Sequence, residues 1–198
     1  MRFPSTRFYG GALRAHPSVA QHTLAELGVV EEAVGAAARV LDVVDTAGTG
    51  FEEQQAPGAD TRENEGEARL VERVVRALVE GGLSPSQVGV ITPYAGQVAV
   101  LSSALAALVD AGLEIDSVDG FQGREKELIV ISAVRSNAAA EVGFLADARR
   151  LNVAITRARR KLVVVGDSAT LSADEHWRAL FDHAIAGGAY RSAFELPE

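Results

Sequence analysis

Two kinds of apolar pattern alternate along this chain. The first is a continuous apolar run of strand length, seen in VLDVVD (40–45), VGVI (88–91), LIVISAV (128–134) and LVVV (162–165), with a shorter stretch at 115–118. Runs rich in Val and Ile that hardly alternate with polar residues are expected of strands covered on both faces. The second pattern recurs at three- and four-residue intervals, as in a helix with one buried stripe. Val71, Val74, Val75 and Leu78 form such a stripe, opened by the capping-box spacing of Asn64 and Glu67 and stopped by Gly81 and Gly82. Val98, Leu101, Leu105 and Leu108 predict a second helix ending near Gly112, residues 148–160 a third, and Trp177, Leu180, Phe181 and Ala184 a fourth over 174–186. Thr46 to Glu63 is polar and aperiodic and reads as a flexible loop. Strands alternating with helices predict one α/β domain, a parallel sheet with helices on both faces and ligands at the carboxyl ends of its strands.

Composition fits this picture. A chain of 198 residues, 47% hydrophobic and 23% charged, suits a single globular domain. No apolar stretch approaches the roughly 20 residues of a membrane span, and MRFPSTRFYGG has no apolar core of signal-peptide length. Zero cysteines exclude disulfides, thiol catalysis and cysteine zinc sites, and a cytoplasmic protein is expected. The four histidines lack tight ligand spacing, so no metal site is expected. The net charge of −8 opposes nucleic-acid binding at first sight. Its distribution does not, because residues 119–161 carry nine Arg and Lys against five Asp and Glu, and 149–161 carries six basic residues and no acidic one. Such a run is equally a solvated helix face with cations at its carboxyl end.

Three blocks hold the candidate chemistry. In SVDGFQGREKELIVISAVRSN (117–137) a strand enters a polar turn punctuated by Gly120 and Gly123 and returns as a buried strand. The glycines permit close backbone approach, with Gln122, Arg124 and Glu125 offering polar groups beside it. A surface turn whose glycines serve only geometry would have the same pattern. Phe121 reads as a core plug under that turn. In GFLADARRLNVAITRARRKLVVVGD (143–167), Arg150 and Arg157 stand seven residues apart, which predicts nearly the same helix face. An arginine that meets phosphate benefits from rigid mounting, since its planar guanidinium can stabilise charge spread over phosphoryl oxygens. Arg159, Arg160 and Lys161 read as solvated or as complementing the helix dipole. In VGVITPYAGQVAVL (88–101), Thr92, Pro93 and Tyr94 close a strand, Gln97 lies in the first turn of the next helix, and Val98 and Leu101 are expected core positions. Tyr94 is suited either to stacking on a ligand or to packing.

In this order the blocks resemble motifs IV, V and VI of superfamily 1 helicases, in the up-frameshift branch that includes senataxin. FPSTRFYGGAL (3–13) resembles the segment after that family's QYRMHP motif, and TRENEGEA (61–68) resembles its S-x-x-N-x-x-E-A helix start. The resemblance implies a RecA-like fold and the second motor domain of an ATP-dependent helicase. It implies that Arg157 is an arginine finger and that Gly123, Glu125 and Arg150 border ATP. It also implies that Thr92, Pro93, Tyr94, Ser117, Val118 and Asp119 lie along single-stranded nucleic acid. ATP and Mg²⁺ would then be shared with a first RecA-like domain, in a monomeric protein.

The phosphate-binding half of such a motor is not in this sequence. A Walker A loop ends in Gly-Lys-Ser/Thr, whereas the two lysines here, Lys126 and Lys161, follow Glu125 and Arg160. Neither VLDVVD nor LVVVGD supplies the Asp-Glu pair of a helicase magnesium site. Alone, the chain is expected neither to hydrolyse ATP nor to bind it tightly. Two other readings stay open: a stand-alone nucleic-acid-binding or protein-interaction module of RecA-like shape, and a regulator that binds nucleotide through residues 120–125 unaided.

Overall fold

The computed structural model describes residues 2–30, 36–55 and 61–196. The elements follow in the order α1 (Arg2–Phe8), β1 (Leu41–Asp45), β2 (Gln54–Gln55), β3 (Arg62–Glu63), α2 (Glu65–Glu80), β4 (Val88–Thr92), α3 (Ala95–Ala104), α4 (Ala106–Asp110), β5 (Glu114–Ser117), β6 (Lys126–Ser132), α5 (Ala148–Ile155), β7 (Ala158–Gly166), α6 (Ser168–Leu171), α7 (Glu175–Ala186) and β8 (Tyr190–Ser192). Six strands pair in parallel in the order β5-β4-β6-β7-β1-β8, and β2 pairs antiparallel with β3. This is the parallel α/β sheet that the alternating pattern predicts, of the RecA-like kind that the resemblance implies.

The sheet is covered on both sides, which is why its central strands are apolar at nearly every position. On one face Val43, Ile129, Ile131 and Val164 pack against Leu151 of α5 and Trp177, Leu180 and Phe181 of α7. On the other, Val44, Val90, Val130, Val163 and Val165 meet Leu70, Val71, Val74 and Leu78 of α2 and Leu101 of α3. Trp177 is fully buried, and its ring N–H donates to the Leu145 carbonyl at 3.0 Å. Full burial of each such side chain contributes about 1.5–3 kcal/mol against the entropy of ordering it.

Four sequence expectations change in the structure. The helix expected over 148–160 ends at Ile155, where the Thr156 hydroxyl donates back to the Asn152 carbonyl, and β7 begins at Ala158. Arg157 therefore lies past the helix end, and its spacing from Arg150 does not put the two on one helix face. The charged start of β7 is held as strand by partners on other elements. Arg159 reaches Glu125 and Glu127, Arg160 reaches Glu127 and Glu26, and Lys161 is fully buried on Asp42 at 2.5 Å instead of solvated. Second, the stripe through Val98 and Leu108 is broken at Leu105, which separates α3 from α4. Val98 is only half-buried, and the polar neighbour Gln97 is buried in its place. Third, only half of the capping box forms: the Asn64 side chain accepts from Glu67 N, but the Glu67 carboxylate turns inward. Fourth, the excursion after β1 is anchored in its described parts, by the β2–β3 pairing and by the ion pair of Glu53 with Arg62.

One connection shapes the candidate site. Parallel strands are usually joined by a crossover of a dozen or more residues, commonly a helix. Here residues 118–125 alone carry the chain from the carboxyl end of β5, past β4, to the amino end of β6. Phe121 fills the space beneath this short crossover and is fully buried, as expected of a plug. Gly89 of β4 makes the room, since a Cβ there would stand 2.8 Å from the Phe121 ring.

Candidate functional site

The crossover divides the expected site residues between two edges of one sheet. Glu125 and Arg157 stand at the amino ends of β6 and β7, where the backbone N–H of Lys126 donates to the Arg157 carbonyl at 3.2 Å. These two residues therefore stand away from the carboxyl ends, where ligands are expected, because the short crossover returns this part of the motif to the opposite edge. Arg157 is half-buried, and its guanidinium donates to the Val153 carbonyl at 3.0 Å, the Thr156 hydroxyl at 3.1 Å and the Arg124 carbonyl at 3.4 Å. None of the ion pairs among the described residues involves it, so its positive charge is oriented by neutral oxygens and is not neutralised. Glu125 is exposed and paired with Arg159 at 3.3 Å. Gly123 has φ of 84° and open space beside it, as a turn surface available to a ligand requires. Gly120 is needed for a different reason, since a Cβ there would collide with the Asp116 carboxylate.

Arg150 does not join this group. It sits in the first turn of α5, with its guanidinium 3.6 Å above the Phe144 ring and 3.9 Å from the Asp119 carboxylate. Asp119 and Ser117 close β5 at the carboxyl edge, where the Ser117 hydroxyl accepts from Gly120 N at 3.1 Å. Tyr94, after β4, is half-exposed at the same edge. Thr92, Pro93 and Val118, expected along a single strand, have buried side chains. What they can offer a ligand is backbone.

Beneath that edge lies a buried polar network that the sequence pattern does not display. Glu67 of α2 is fully buried and accepts from the Ser132 hydroxyl at 2.6 Å and from Val134 N at 2.8 Å. Burial outweighs these hydrogen bonds and raises its carboxyl to about 7. Gln97 donates to Ser132 and accepts from Asn64 N, while the Asn64 amide donates to the Phe51 and Val134 carbonyls. Val134 has φ of 69° in a three-residue turn closed by Arg135 N to the Ala133 carbonyl at 2.8 Å. A β-branched residue in that region is strained by about 1–3 kcal/mol and persists only where its surroundings hold it. The turn delivers Arg135, only 3% exposed, to Glu53 at 2.7 Å and to the Tyr94 hydroxyl at 3.4 Å. The sequence marks Asn64 and Glu67 through their capping spacing and through the likeness of TRENEGEA to a family helix start, and neither signal says that Glu67 is buried.

A family model described as an AAA domain matches residues 1–169 of the chain. The chain belongs to this AAA domain family. It is 44% identical over 194 residues to DNA-binding protein SMUBP-2 of Rattus norvegicus, covering 98% of the chain and 19% of that protein. It is 40% identical over 189 residues to DNA polymerase alpha-associated DNA helicase A of Schizosaccharomyces pombe, covering 92% of the chain and 27% of the relative. It is also 44% identical over 141 residues to Regulator of nonsense transcripts 1 of Dictyostelium discoideum, covering 68% of the chain and 10% of the relative. The up-frameshift helicase resemblance read from the motifs is therefore shown, and the AAA domain described here is a helicase domain. It spans between a tenth and about a quarter of these relatives.

The residues present fit one part of a nucleotide. A charged guanidinium without a carboxylate partner and an open glycine turn suit a terminal phosphate and a sugar. Among the described residues no group of three or more acidic or histidine side chains is placed to hold a metal ion, and no helix is long and apolar enough to cross a membrane.

Proposed function

We propose that this chain is the second motor domain of an ATP-dependent superfamily 1 helicase and supplies Arg157 as the arginine finger. The observation that carries the reading is the Arg157 guanidinium, which neutral oxygens hold at the amino edge while no carboxylate among the described residues pairs with it. A finger has to present its charge to a γ-phosphoryl group without losing it to a local acid. ATP would lie between Arg157, Glu125 and Gly123 on this side and a Walker-bearing first domain on the other. Single-stranded nucleic acid would follow the carboxyl edge at Tyr94, Ser117 and Asp119. The crossover 118–125 runs between the two edges, so a change in the cleft can be felt at the strand surface through one short, plugged connection. The rest of the reading follows: a monomeric, cytoplasmic motor, and an isolated domain that does not turn over ATP by itself.

The test is steady-state ATP hydrolysis by this domain joined to a first domain that carries the Walker motifs. Arg157→Ala should lower turnover by about 10³ to 10⁵ while changing ATP affinity much less, because a finger chiefly meets transition-state charge. Arg149→Ala is the matched control, on a side chain 93% exposed in the same segment. Equal, small effects from the two substitutions would end the finger assignment.

A further inference from the structure

The outer surface of the carboxyl-edge loops carries an arrangement that the nucleotide site does not use. Phe144 lies in the turn before α5, with its ring centre 6.3 Å from that of Tyr94 and the planes inclined at 53°. The Arg150 guanidinium lies over the Phe144 ring, 3.6 Å from its centre. All three side chains are half-exposed. Behind them, Arg135 holds the Tyr94 hydroxyl and is itself held by Glu53. Gly143 has φ of 62°, and a Cβ there would overlap the Arg135 guanidinium and stand 3.1 Å from the Tyr94 hydroxyl, so glycine leaves the room in which these two groups meet.

We propose that Tyr94, Phe144 and Arg150 form a stacking platform for the unpaired bases of single-stranded nucleic acid, with Arg135 as the positioning residue behind it. The proposal rests on the strand-binding part of the function above and moves Arg150 from the nucleotide to the strand. Two features favour bases over phosphates. The carboxylates of Asp119 and Asp147 stand 3.9 and 3.8 Å from the Arg150 guanidinium, which weakens it as an anion clamp. Its guanidinium carbon already stands 3.6 Å from the centre of an aromatic ring, within the range in which arginine interacts with a ring face. Aromatic and guanidinium faces accept any base, so the platform gives grip without sequence preference. Arg135 and Gly143 hold the rings in place before binding, which limits the entropy lost when a base docks.

The experiment titrates the chain at low salt with a single-stranded oligonucleotide carrying 2-aminopurine, whose fluorescence falls when the base is stacked. The wild-type chain should bind and quench. Phe144→Leu keeps apolar bulk without an aromatic face, and should lose the quench and about tenfold in affinity. The dependence of affinity on salt should not change, because no phosphate contact is removed. Phe144→Tyr should restore both. Tyr94→Phe keeps the ring but removes the oxygen that Arg135 holds, and should quench only partly; a full quench would overturn the positioning role. If Phe144→Leu binds and quenches as the wild type does, the platform is overturned while strand binding stands. If the wild-type chain binds no single strand, the strand-binding reading fails and the platform fails with it.

Discussion

The two edges of the sheet are built in opposite ways. At the carboxyl edge, the loops after β1, β4 and β6 are bound together by side chains buried almost completely, Glu53 with Arg135 and Glu67 with Ser132 and Val134. At the amino edge the β1–β7 side is closed by the fully buried Lys161–Asp42 pair, but the corner between β6 and β7 is open: Glu125 and Arg159 are about half exposed and Arg157 is held by neutral oxygens alone. The carboxyl edge is bound together by partners within the described residues, whereas the β6–β7 corner carries an arginine that no carboxylate among the described residues pairs with. A surface that must keep its shape without help needs internal partners for its polar groups. A surface that completes a shared site has to leave its key charge unneutralised.

Removing Arg135 should break the comparison at its strongest point. Arg135→Ala removes the buried cation of Glu53, whose carboxylate keeps only the partly exposed Arg62, and the lost charge-assisted hydrogen bonds together with the space left by a buried side chain should destabilise the domain by about 3–4 kcal/mol in denaturant unfolding. A loss comparable to that of an exposed pair would show that the carboxyl edge is not held as described.

Glu67 gives an effect of intermediate size whose signature is its pH dependence. Its carboxyl rises from 4.5 to about 7 on folding, so between those values the folded state binds more protons than the unfolded state. Stability should therefore fall as pH rises through that window, by roughly 3 kcal/mol in all if Glu67 acts alone. Glu67→Gln keeps an oxygen to accept from Ser132 and Val134 and carries no titrating proton, so its unfolding free energy should lose this fall. An unchanged pH profile would show that Glu67 does not titrate as its burial implies.

The smallest effect belongs to the amino edge. Arg159 is 55% exposed and paired with Glu125 and Glu127, so Arg159→Ala should cost only about 0.2–1 kcal/mol of stability. Because Arg159 holds Glu125, the same substitution should still alter ATP affinity in a two-domain protein, by far less than Arg157→Ala alters turnover. A large stability loss here would erase the distinction between a completed edge and an open one.

The sequence by itself determined the α/β architecture, because a parallel sheet covered on both faces demands the Val- and Ile-rich runs at 40–45, 88–91 and 128–134, and helices with a single buried stripe demand the intervals of Val71 to Leu78. It also determined the family, through motifs whose order and residues stand in the chain, and the burial of Phe121. Only the tertiary structure decided where α5 gives way to β7. The basic residues after Arg157 are strand because Glu125, Glu127 and Asp42 wait on other elements, and a local pattern carries no information about partners far away in the chain. It likewise decided that Arg150 stands with Asp119 and Phe144 and apart from Arg157, since that depends on how a helix of a given length ends and on what lies beside each end. The depth of Glu67 and Gln97 was hidden for the same reason: a polar residue is written the same way in the sequence whether water or a buried hydroxyl will satisfy it.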